Sequence, residues 1–216
     1  MTGRVVLPSP KLPGGLASGN AAGVTIGIGL DGSTCGSASF QVGIDITTSP
    51  DESVRYDGTC ALHNICPIFK PRNAAWFWWD PSFPVIDFNS AGSNITFSPG
   101  DSVTFQLITF ESTSRQQGVA IVTNDATGAL AVEGIGANTA LCGEDAEWIV
   151  QNFDEDIPLS NFGSVTFTDA LALDLAGDPG NDPGVTGVDL FSPSTGQQLT
   201  TVSTTKSTIT INYIGP

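Results

Sequence analysis

The sequence predicts an all-β protein, a sandwich of two antiparallel sheets. Three observations carry this. Short runs rich in Val, Ile, Thr and Phe recur along the chain, and 25 Gly and 14 Pro punctuate them. Several runs alternate apolar and polar residues with period two. No convincing amphipathic helix exceeds three turns; residues 170–175 come nearest and could equally be strand. Candidate strands cover residues 24–30, 38–47, 75–79, 93–97, 102–110, 118–124, 146–153, 164–168, 187–191 and 207–213. About ten strands at short spacing suit two packed sheets. No shift in composition divides the 216 residues, so a single domain over 1–216 is expected. A chain of this length buries roughly 70–75% of its unfolded surface without needing a staple.

Charge excludes several function classes. Seven Lys and Arg against 22 Asp and Glu give a formal charge of −15. Seven scattered cations cannot form the basic stripe that a phosphate backbone requires, so neither nucleic acid nor an anionic membrane is an expected partner. No run approaches the roughly 20 apolar residues of a membrane span, and the first residues lack the apolar core of a signal peptide. With all carboxylates neutralised, about nine positive charges would remain on the chain. Self-repulsion in acid would therefore be mild, and the composition permits work at low pH.

The four cysteines are Cys35, Cys60, Cys66 and Cys142. No C-x-x-C pair occurs and the one histidine is His63, so neither a zinc site nor any other metal or cofactor is expected. Two disulfides in an oxidising compartment fit better, and the sequon Asn94-Ile95-Thr96 agrees with secretion. Four cysteines allow three pairings. Cys35–Cys142 with Cys60–Cys66 is preferred, because Cys35 lies six residues before Gln41 and Cys142 five before Glu147. That bridge would bring two Cα atoms within about 7 Å and draw the strands behind them together.

Alternation assigns faces. Phe40, Val42 and Ile44 point one way; Ser39, Gln41, Gly43 and Asp45 point the other. Ala146, Trp148 and Val150 oppose Glu147, Ile149 and Gln151. Alternation alone does not make the two strands neighbours. In the aromatic run, Trp76 and Trp78 share one face while Phe77 and Trp79 share the other, and Trp79 reads as plain core.

The stretch Leu141-Cys142-Gly143-Glu144-Asp145-Ala146-Glu147-Trp148-Ile149-Val150, followed by Phe162-Gly163-Ser164-Val165-Thr166-Phe167-Thr168, resembles the glutamic peptidases, or eqolisins. Gly29-Leu30-Asp31-Gly32, Cys35-Gly36 and Phe40-Gln41-Val42-Gly43-Ile44-Asp45 resemble that family's other signature stretch. Leu7-Pro8-Ser9-Pro10 and Ala75-Trp76-Phe77 fit more weakly. The resemblance implies two seven-stranded antiparallel sheets, secretion by a fungus, and endopeptidase activity on polypeptides at acidic pH, in a monomer. It also implies a catalytic Gln and Glu, which fall on Gln41 and Glu147.

The chemistry suits these groups. A carboxylate can take a proton from water and return it to the leaving nitrogen. A Gln amide offers N–H donors to a developing oxyanion and can orient the water. In acid a His base would be protonated, whereas a carboxylate still titrates. Asp31 and Asp45 match positions near the family's active site. Asp45 is a candidate to orient Gln41 or to raise the pKa of Glu147; Asp31-Gly32 is equally a turn signal. Trp76 and Trp78 are candidates to line the cleft.

The chain departs from the family pattern in places. It has Gly27 where a Trp is usual, Ala74 for an acidic residue, Trp78 for a Glu and Asp80 for a Tyr. It is expected to lack the family's first N-terminal strand. Two competing readings follow: a catalytically impaired homologue, and a carbohydrate-binding sandwich in which the Trp76–Trp79 cluster stacks on sugar rings. Asp178-Pro179-Gly180-Asn181-Asp182-Pro183 reads as an acidic turn rather than a calcium loop, lacking the regular ligand spacing.

Overall fold

A computed structural model describes residues 1–16, 20–49, 51, 53–55, 75–152, 157–173 and 186–216. Thirteen strands appear among them: β1 (Thr2–Val6), β2 (Ala22–Leu30), β3 (Ser39–Thr48), β4 (Val54–Arg55), β5 (Ala75–Asp80), β6 (Ile86–Asp87), β7 (Ser102–Thr109), β8 (Gln117–Asn124), β9 (Ala129–Gly136), β10 (Ala146–Gln151), β11 (Ser164–Leu171), β12 (Thr200–Thr204) and β13 (Ile209–Tyr213). One 3₁₀ turn, Glu111–Thr113, joins β7 to β8, and the described residues contain no α-helix.

The strands form two antiparallel sheets. One has seven strands in the order β12-β13-β11-β1-β7-β8-β9. The other has six, β10-β2-β3-β5-β6, with β4 beside β3 completing the count. The core lies between them. Val24, Ile26 and Ile28 of β2, Phe40, Val42, Ile44 and Ile46 of β3, and Phe77 and Trp79 of β5 face Val103, Phe105 and Leu107 of β7, Ala120 and Val122 of β8, and Val165 and Phe167 of β11. Trp79 is fully buried and stacks on Phe40 with ring centroids 4.8 Å apart. The alternation of β3 and β5 thus points as the sequence predicted, since only one register puts this apolar set inside.

Several expectations change. Residues 93–97 form no strand, because side chains take the backbone groups a neighbouring strand would need. Asn89 brackets Ile95, accepting its N–H at 3.0 Å and donating to its carbonyl at 3.3 Å, and Asn124 donates to Thr96 O at 2.9 Å. Residues 187–191 contribute only a bridge from Phe191 to Gln198. Residues 170 and 171 extend β11 rather than starting a helix.

Five strands escaped the pattern: the two-residue β4 and β6, and β1, β9 and β12. β1 carries Gly3 and Arg4, β12 is mostly Ser and Thr, and β9 shows apolar residues on both faces. Yet β1 runs down the middle of the seven-stranded sheet, between β11 and β7. It also takes a hydrogen bond from the other sheet: Trp148 Nε1 of β10 donates to Thr2 O at 3.1 Å.

The Cys35–Cys142 bridge is present, closing a separation of 107 residues with Cα atoms 5.9 Å apart. Cys60, Cys66, His63, Ala74, residues 154–156 and residues 178–183 lie outside the described residues. Among the described residues, no helix is long and apolar enough to cross a membrane.

Candidate active site

The site grows from strand register on the outer face of the six-stranded sheet. Glu147 of β10 lies opposite Gly29 of β2, Gly29 opposite Gln41 of β3, and Gln41 opposite Trp78 of β5. These four residues form one transverse row. β10 and β3 are not neighbours; β2 separates them, and its contribution to the row is a glycine. The next row, two residues along, is Ile149, Gly27, Gly43 and Trp76. The inner positions of β2 are Val24, Ile26 and Ile28, while its outer ones are Gly23, Thr25, Gly27 and Gly29. The same alternation that fills the core leaves a floor of bare backbone on the other side.

That floor lets the two functional groups converge. A Cβ on Gly29 would stand 3.2 Å from Gln41 Cγ and 3.4 Å from Glu147 Oε2. A Cβ on Gly32, in the turn after β2, would stand 3.6 Å from Glu147 Oε2 and 3.8 Å from Gln41 Nε2. One small molecule over this turn could therefore touch carboxylate and amide together. Gly32 has φ 118°, which a side chain would strain.

Glu147 is half-buried, and its pKa is raised to about 6. Burial is the first cause; the negative charges of Asp145 and then Asp31 add to it. Sequence reasoning offered Asp45 for that task. Asp45 Oδ1 accepts from Thr25 Oγ1 at 2.6 Å and from Trp76 Nε1 at 2.9 Å. Asp45 thus holds the Trp76 indole down over Gly43, and Trp76 keeps only 6% of its surface exposed. Trp78 stays half-buried beside Gln41, its Nε1 donating to Phe83 O at 2.8 Å.

Asp31 is both a turn residue and a structural anchor. It follows β2 with φ 57° and is fully buried. Its carboxylate accepts N–H bonds from Gly143 at 2.9 Å, Glu144 at 2.8 Å and Asp145 at 3.3 Å, and its own N–H donates to Asp145 O at 3.0 Å. The segment that delivers Glu147 is therefore tied to the end of β2, next to the disulfide. Asp145, which the sequence reading left unassigned, accepts at Oδ2 from Thr34 N at 2.9 Å and Thr34 Oγ1 at 2.5 Å. Its other oxygen is buried with no hydrogen-bond partner among the described residues. Gly29 is explained by its register between Glu147 and Gln41, and Gly32 by its positive φ in the turn beside them.

Asp31, Cys35 and Cys142 form the one cluster of metal-ligand type among the described residues. The two sulfurs are bonded to each other, so the cluster offers no thiolate, and its carboxylate is committed to backbone N–H groups.

Known proteins share this fold and parts of this sequence. The model of the Peptidase A4 family matches residues 1–213. Aspergillopepsin-2 of Aspergillus niger is 33% identical over 192 residues, covering 87% of this chain and 58% of its own length. Scytalidopepsin B of Scytalidium lignicola is 27% identical over 211 residues, covering 92% of this chain and 68% of its own length. The chain thus spans a little over half of the first of these relatives. The crystal structure of aspergilloglutamic peptidase from Aspergillus niger superposes with a TM-score of 0.70 at 30% identity, covering 89% of this chain and 99% of that one. Scytalido-glutamic peptidase, solved with a transition state analog inhibitor, gives 0.72 at 25% identity, covering 99% and 91%. With two sheets of the same architecture and a match from residue 1 to residue 213, the chain belongs to the Peptidase A4 family, the glutamic peptidases.

Proposed function

We propose that this chain is an acid-acting endopeptidase in which Glu147 and Gln41 are the catalytic residues. The observation that carries this reading is the row Glu147, Gly29, Gln41, Trp78, with the glycine gap that lets carboxylate and amide face one point. A water held there gives its proton to Glu147 as it attacks the scissile carbonyl. Gln41 orients the water and donates its amide N–H to the oxyanion. Glu147 then returns the proton to the leaving nitrogen, and the C–N bond breaks. No covalent intermediate is needed.

A Glu147 pKa of about 6 matches a task in which one group must both accept and release a proton under mildly acidic conditions. The protein acts as a secreted monomer on extended polypeptides. Its test is digestion of a denatured protein at acidic pH by the parent chain, Gln41→Ala and Glu147→Gln. Activity in the parent that both substitutions remove, with folding intact, supports the dyad; an inactive parent sinks the reading.

Two expectations accompany it. Asp145→Asn removes one of the charges that raise Glu147, so ionisation becomes easier and the acid limb of kcat/KM moves to lower pH. An unmoved limb in a pH–rate profile would show that Asp145 does not act on Glu147. Trp78→Ala removes an indole beside Gln41 and should raise KM about tenfold for peptides with a bulky apolar residue next to the cleavage site, the order of one partly buried side chain. Kinetics on a matched pair of peptides, apolar and polar, check this.

A further inference from the structure

The β7–β8 connection contains two consecutive non-glycine residues in the left-handed region, Ser114 at φ 54° and Arg115 at φ 58°. Such a conformation costs about 1 kcal/mol or more per residue and persists only where its surroundings hold it. The surroundings here are the segment that leads to Glu147. Arg115 O accepts from Leu141 N at 3.1 Å, Gln116 O from Ala137 N at 2.7 Å, and Gln116 Nε2 donates to Asn138 O at 3.2 Å. The half-buried guanidinium reaches further, and Nη1 donates to Cys142 O. The N–H of the same peptide group, on Gly143, donates to Asp31 Oδ2 at 2.9 Å. One peptide bond is thus held at its oxygen by a cation from the seven-stranded sheet and at its nitrogen by an anion from the six-stranded sheet. Gly143, at φ 74°, has no Cβ to collide with Arg115 Nη1.

We propose that Arg115 is a positioning residue for Glu147, fixing residues 142–145 from the opposite sheet so that β10 presents its carboxylate at the glycine gap. This rests on the peptidase reading above. Asp31, Thr34 and the Cys35–Cys142 bridge all hold the segment from the six-stranded sheet. Arg115 supplies the tie from the opposite sheet, with a planar guanidinium suited to a carbonyl oxygen. Arg115 lies outside the catalytic row, so its effect passes through the backbone.

The test compares Arg115→Ala and Arg115→Lys with the parent, using a fluorogenic peptide and rates normalised to the folded fraction. A misplacement of about 1 Å costs on the order of a hundredfold in rate. Arg115→Ala should lower kcat about 10–100-fold with KM within about threefold; Arg115→Lys should recover part of the loss, and added methylguanidinium should partly rescue the Ala variant. A kcat per folded molecule equal to the parent's, with only thermal stability reduced, would overturn the proposal and make Arg115 a staple. If Arg115→Ala does not fold, Arg115→Lys decides by the same kcat criterion. If the parent shows no hydrolysis, the peptidase reading has failed instead. The Arg115 contact is then read by carboxyl-carbon NMR of Glu147: a titration midpoint displaced in the Arg115 variant supports positioning, and an unchanged one refutes it.

Discussion

Glu147→Gln is expected to lower kcat/KM by about a thousandfold while leaving the sandwich folded, since loss of a general acid–base group costs about 10²–10⁴. Gln preserves the shape of the side chain, so the row across β10, β2, β3 and β5 is undisturbed, but it can neither take a proton from water nor return one. The same substitution carries a stability signature with a definite sign. Glu147 titrates near its ordinary value of 4.5 when unfolded and at about 6 when folded. The folded state therefore favours the protonated form. Its contribution is fully present below pH 4.5 and is lost as pH rises through 6. Above pH 6 the parent carries a half-buried charge that the variant lacks. The variant should then be more stable than the parent by on the order of 1 kcal/mol, after allowance for solvent screening at a half-exposed site. Below pH 4.5 the two should coincide. Hydrolysis of a fluorogenic peptide and thermal unfolding at pH 4 and pH 7 measure both effects. A variant retaining a tenth of the parent's activity would remove Glu147 from the mechanism.

Asp31→Asn is expected to cost about 2–4 kcal/mol of stability, because hydrogen bonds to a buried charged acceptor are lost and one amide N–H faces another donor. The substitution isolates the charge. Asn tolerates the left-handed φ of 57° that Asp31 adopts, and it matches the side chain in size. What it cannot do is accept the N–H groups of Gly143, Glu144 and Asp145 with two oxygens. Catalysis should fall with it, since the released segment carries Glu147. A second effect has the opposite sense for acidity: removing the Asp31 charge lowers the Glu147 pKa from about 6. Chemical denaturation and the acid limb of the pH–rate profile read these separately. Unchanged stability would mean that the three N–H groups find other acceptors.

The strands of the six-stranded sheet that build the site were legible in the sequence, because period two separates Val24, Ile26 and Ile28 from Thr25, Gly27 and Gly29 without reference to any neighbour. Trp79 was legible as core for the same reason. β1, β9 and β12 were not, since a Gly, an Arg, a two-sided apolar pattern or a run of Thr gives no face. Residues 93–97 were misread because a β-branched run looks like a strand until Asn89 and Asn124 claim its backbone.

For the site, the identities of Gln41 and Glu147 came from the motif resemblance, and the preferred Cys35–Cys142 pairing stands in the structure. By itself the sequence determined the fold class, the faces of the strands and the acidic charge balance, because these depend on residue type and short-range periodicity; the family came from the resemblance of its motif stretches. Only the tertiary structure decided that β2 lies between β3 and β10, that Gly29 and Gly32 open the gap, that Asp145 and Asp31 stand near enough to Glu147 to raise its pKa, and that Arg115 reaches Cys142 O. Each of these joins residues far apart in the chain. Their proximity follows from sheet order and loop closure, and no local pattern encodes which strand stands beside which.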